Sequence, residues 1–122
     1  MSTIIASNIS DGTTSVASTY VVNGSAKAWA NINQTSAQAI RDSFNIASIT
    51  DGGAGSTRLT FTSAMGNGNF AVVNSCGVNA TYGDNSCGAA VSTTQYDVYS
   101  ENGTNYSADN THAQSVIFGD LA

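Results

Sequence analysis

The chain has 122 residues, room for one domain and too few for two, and it carries a formal net charge of −5 with only 3 Lys and Arg. So few cations cannot neutralise a run of phosphates, which excludes nucleic acid as a partner, and no stretch approaches the roughly 18 apolar residues of a membrane-spanning helix. Charged residues make up 9% of the chain and proline is absent.

Ser, Thr, Asn and Gly supply about 46% of the residues, while Leu, Ile, Val and Phe reach only about 19%. That apolar share lies at the margin below which a chain often fails to fold alone. Low net charge argues against disorder, so the expectation is a folded chain that buries further surface between copies. About 17 Val and Ile stand against two Leu, one Glu and one Lys, and about 14 Thr add further branched β-carbons. Residues that fit a pleated surface therefore outnumber helix formers, and the class expected is all-β.

In chain order, residues 1–24 scatter Ile4, Ile5, Ile9, Val16, Val21 and Val22 between Ser, Thr and the turn pair Asp11-Gly12. This reads as an extended N-terminal arm, and residues 25–122 as the head. Ser25 to Asn33 alternates with period two, with Lys27, Trp29 and Asn31 on one face and Ala28, Ala30 and Ile32 on the other. Trp29 is expected in the core. Ser36 to Ile46 reads as loop then strand, although Ala37, Ile40 and Phe44 also match a helical face.

Ile46 to Thr50 and Thr57 to Met65 flank Asp51-Gly52-Gly53-Ala54-Gly55-Ser56, the clearest hairpin in the chain. A turn at Gly66 to Asn69 leads into a strand from Phe70 to Cys76. A polar loop then runs to Cys87, the β pattern resumes at Val91, and strands follow at Thr93 to Ser100 and His112 to Phe118. Seven or eight short strands between Gly/Asn turns predict an antiparallel β-sandwich or jelly-roll-like head.

Catalytic patterns are sparse. His112 is the one histidine and reads as a strand residue rather than a base, and neither a Gly-x-Ser-x-Gly elbow nor a phosphate loop is present. No enzyme, cofactor or metal is expected. The carboxylates are scattered without the density of a calcium loop, and the Asn-x-Ser/Thr sequons are those that chance supplies in such a composition. Cys76 and Cys87 lack the spacing of a zinc or thioredoxin-like site. They read either as a disulfide, whose loop closure would contribute about 2.7 kcal/mol, or as two buried thiols.

Rigid aromatic rings beside short hydrogen-bonding groups suit surface recognition. The candidate receptor-binding residues are Tyr82, Asp84 and Asn85 in one polar loop, and Asn102, Asn105 and Tyr106 in another. Tyr96 and Tyr99 fall in a predicted strand, where at least one must face the core. Ile4, Ile5 and Ile9 are candidates for docking the arm.

The runs Ala26 to Asn33, Ile40 to Asp51, Leu59 to Met65 and Val116 to Asp120 together resemble a family of tailed-bacteriophage virion proteins, the β-rich heads of tail fibres and related appendages. The resemblance spans the chain from about Ala26 to its end. It implies a homotrimeric head on the exterior of a virion, made in the host cytoplasm, held to another virion protein by the N-terminal arm and able to contact a host surface glycan. No active site carries over. A long shaft is absent from these residues, so the tail and the capsid both stay open as locations. The competing readings are a small carbohydrate-binding, lectin-like module and a capsid decoration protein without a receptor role.

Overall fold

The computed structural model describes residues 2–77, 85–101 and 107–122. The described residues form a β-sandwich. Its strands are β3 (Ala28–Asn33), β4 (Ala39–Phe44), β5 (Ile46–Asp51), β6 (Ser56–Phe61), β7 (Ala71–Gly77), β8 (Asn85–Ser92), β9 (Gln95–Glu101) and β10 (His112–Phe118). They build two antiparallel four-stranded sheets, the first in the order β4-β3-β10-β7 and the second in the order β5-β6-β9-β8.

The expected sandwich is therefore present, and its core follows from alternation along each strand. The first sheet turns small side chains inward, among them Ala28, Ala30, Ala113 and Ser115, with Ile32 and Ile117 as its large contributions. The second sheet supplies Leu59, Phe61, Tyr96 and Val98. Large residues from one sheet thus meet small ones from the other, and in this way a sequence so rich in alanine still fills its interior.

Trp29 departs from the expected core position. Ala28, Ala30 and Ile32 are the buried members of β3, and Trp29 lies half-buried on the outer face. The alternation was legible but its direction was not: the facing sheet already brings the bulk, so the small side of β3 turns inward.

The N-terminal segment also departs from a uniformly extended arm. It holds a hairpin of β1 (Asn8–Ser10) and β2 (Ser15–Ala17), then the helix α1 (Ser18–Gly24). The Asp11 carboxylate accepts the amides of Thr13 and Thr14 at 2.9 and 2.7 Å, so the Asp11-Gly12 pair forms the turn read from the sequence. Those backbone bonds also hold its pKa below the ordinary value. The helix has no side-chain N-cap, but the Lys27 ammonium donates to the carbonyls of Val22 and Ser25 at its C-terminal end, where a cation is favoured. This capping sets one of the three basic residues to structural use.

Asn45 carries the chain from the first sheet to the second. It is the single residue between β4 and β5 and has φ of 58°, the left-handed region that Asn tolerates better than most residues. Its side chain secures the corner. Nδ2 donates to Lys27 O and Ser63 O at 3.0 and 3.1 Å, and Oδ1 accepts the Ser63 amide at 2.7 Å. Gly55, at φ 68°, serves the β5–β6 hairpin, where a Cβ would lie 2.3 Å from Ser100 O. Only glycine fits this approach.

Candidate functional site

Two outward surfaces of the sandwich differ sharply in chemistry. On the first sheet, the register pairs Phe44 with Trp29, Trp29 with Val116, and Val116 with Val73. Paired residues share a face, so four apolar side chains form one row across all four strands. Phe44 is 54% exposed and Val73 63%. At the Phe44 end the row continues into a groove of about 560 Å³, also lined by Val21, Val22 and Leu121. The neighbouring row, Ser75, Gln114, Asn31 and Asp42, is polar.

On the second sheet, the corresponding face carries charge. Thr50 of β5 pairs with Arg58 of β6, and Arg58 with Asp97 of β9. The guanidinium grips the carboxylate in a two-pronged bond, Nε to Oδ1 and Nη2 to Oδ2, each at 2.7 Å. Tyr99 donates its hydroxyl to Asp97 Oδ2 at 3.3 Å. The Arg58 bond holds the Asp97 carboxyl below the usual carboxylate range, against the opposing effect of burial. The same partnership raises the Arg58 pKa, and the Asp97 charge raises that of Tyr99.

These three side chains line a groove of about 480 Å³ together with Thr50, Asp51 and Ala54 of the β5–β6 hairpin and Ser107 of the β9–β10 connection. Asp51 is held there by its own turn. Its Oδ1 accepts Gln38 Nε2 at 2.9 Å and the Gly53 amide at 2.8 Å. Sequence reasoning placed Tyr99 on a strand but did not single out Arg58 or Asp97. The available signal was their alternation with apolar neighbours, Arg58 beside Leu59 and Asp97 between Tyr96 and Val98, which sets both on the outer face, although Asp97 is itself buried there.

Of the residues singled out from the sequence, Tyr82, Asp84, Asn102, Asn105 and Tyr106 lie outside the described residues. Only the backbone of Asn85 is described, paired with Glu101 at the start of β8. Ile4 and Ile5 are each 94% exposed, and Ile9 is 48% exposed on β1. Cys76 is half-buried on β7, and Cys87 is exposed on β8. Cys87 pairs with Tyr99 in the second sheet and Cys76 with Ala113 in the first. His112 Nδ1 lies 3.1 Å from Thr111 Oγ1. Among the described residues, no three His, Cys, Asp or Glu side chains converge as metal ligands.

In comparisons with known proteins, the chain matches no family model, no curated protein and no solved structure.

Proposed function

We propose that this chain is a non-catalytic β head of a virion appendage, a homotrimer that assembles through the outer face of its first sheet and is held to another virion protein by its N-terminal segment. The observation that carries the assembly is the apolar row Phe44, Trp29, Val116 and Val73. Burying it between copies adds apolar area that the small core of a single chain lacks. A second and a third copy are the chosen occupants because the monomer's apolar share is marginal and the row runs on into the exposed apolar groove beside α1. The resemblance to tailed-phage fibre heads supplies the particle. Ile4 and Ile5, nearly fully exposed, supply apolar anchors for docking by strand addition.

Light scattering coupled to gel filtration tests the assembly at micromolar concentration. The expected mass is three times the 12.4 kDa of one chain. Phe44→Asp combined with Val73→Asp changes two exposed side chains and should yield a folded monomer with the same far-ultraviolet dichroism. A wild-type monomer, or a trimer that survives both substitutions, overturns the reading.

A further inference from the structure

We infer that the groove on the outer face of the second sheet is a binding site for a neutral saccharide. Its volume of about 480 Å³ falls in the range of small-ligand sites, and its walls are strands, a tight hairpin and Ser107 of the β9–β10 connection. A sugar presents hydroxyls around its edge and an apolar patch of C–H groups on its face. Recognition therefore needs a fixed aromatic ring together with donors and acceptors held in place.

The groove supplies each of these. Tyr99 is 39% exposed, and its hydroxyl is fastened to Asp97, so its ring is positioned while a large part of it stays open to a ligand. Arg58 spends one Nε hydrogen and one Nη2 hydrogen on Asp97, which among the described residues leaves three donors on the guanidinium rim, oriented by that bond. Among the described residues Asp51 accepts Gln38 and Gly53 through Oδ1, and Oδ2 remains an acceptor.

Charge decides the class of saccharide. Arg58 is neutralised by Asp97, and Asp51 adds a further negative charge within a chain of net charge −5. A phosphate, sulfate or sugar carboxylate is therefore repelled. A metal ion is also disfavoured, because both Asp97 oxygens are already engaged by Arg58. Neutral hydroxyls, which donate to carboxylates and accept from guanidinium, match what remains.

Every residue of the groove comes from one chain, and the groove lies on the sheet opposite the apolar row. The inference thus holds for a monomer as well as a trimer, and its failure is distinguishable from a failure of the assembly reading. The test is a titration of the isotopically labelled full chain, followed by amide chemical shifts, with glucose, galactose, mannose and N-acetylglucosamine as neutral probes and N-acetylneuraminic acid as the charged one. Expected are saturable shifts at Thr50, Arg58, Asp97 and Tyr99 for at least one neutral sugar, with Kd in the millimolar range of a single small site. Tyr99→Ala should weaken that binding about tenfold, and Tyr99→Phe, which keeps the ring, should weaken it only about threefold. Absence of saturable shifts with all four neutral sugars overturns the proposal, as does tighter binding of N-acetylneuraminic acid or indifference to Tyr99→Ala.

Discussion

Tyr96 of β9 and Asn74 of β7 join the two sheets through a hydrogen bond in which the Asn74 amide donates to the phenol oxygen at 2.6 Å. Asn74 in turn accepts the Ser115 hydroxyl at 2.7 Å, so the bond continues into β10. The ring is 2% exposed and lies edge-on to Phe70 at a centroid distance of 6.1 Å. Gly88 makes room for it, since a Cβ there would stand 1.9 Å from the phenol oxygen. A polar tip between the sheets, at the edge formed by β7 and β8, thus has its partner, and the small residue beside it on β8 is the condition for its placement.

Tyr96→Phe removes the acceptor and leaves the Asn74 amide without its partner, at an expected cost of about 1 kcal/mol in denaturant unfolding. Burial also raises the Tyr96 pKa above its ordinary value of 10.0. The stabilisation linked to the neutral phenol is therefore complete below the unfolded pKa and lost as pH rises toward the folded one. The substitution should flatten the alkaline limb of the melting curve against pH. An unchanged alkaline limb would show that this phenol does not govern it.

Asn45→Ala should be costlier than most half-buried substitutions. It places an alanine at φ 58° and strips the corner of three hydrogen bonds. About 2 to 3 kcal/mol is expected, with Asn45→Gly recovering the backbone part but not the bonds. Equal losses for the two variants would assign the whole effect to the side chain.

What could be read from the sequence divides along local and non-local lines. The β5–β6 hairpin was legible because its glycine-rich turn lies between two alternating runs, and the β10 strand because it ends on the β-favouring run Val116, Ile117 and Phe118. The pairing of Ala28 with Ile117 was not, since nothing local in either strand encodes a partner so far along the chain. The same gap hid the groove beside Arg58 and Asp97. Arg58 and Asp97 each look like an ordinary outward charge until β6 and β9 are neighbours. The helix α1 was missed because Val21 and Val22 favour strands, and the signal for its end lies beyond it, in the Lys27 ammonium.

Asp97 is expected to set how the fold responds to acid. Its carboxyl is held below the usual range first by the hydrogen bonds of Arg58, so the unfolded chain takes up this proton at a higher pH than the folded one. Stability linked to the pair is complete above the unfolded value, about 4, and is lost as pH falls through the lower folded value. Asp97→Asn keeps the shape of the side chain but removes the charge. It should lower the melting temperature at neutral pH, where the wild-type pair is intact and Arg58 now has no counter-charge. Below the folded pKa the wild-type carboxyl is itself neutral, so the two melting curves should converge as the solution is acidified. Arg58→Met should likewise flatten the acid limb, because without the guanidinium nothing of comparable strength depresses the carboxyl. Melting temperatures taken from pH 2 to pH 7 decide the matter, and curves that run parallel over that range would remove the Arg58–Asp97 pair as the source of the acid response.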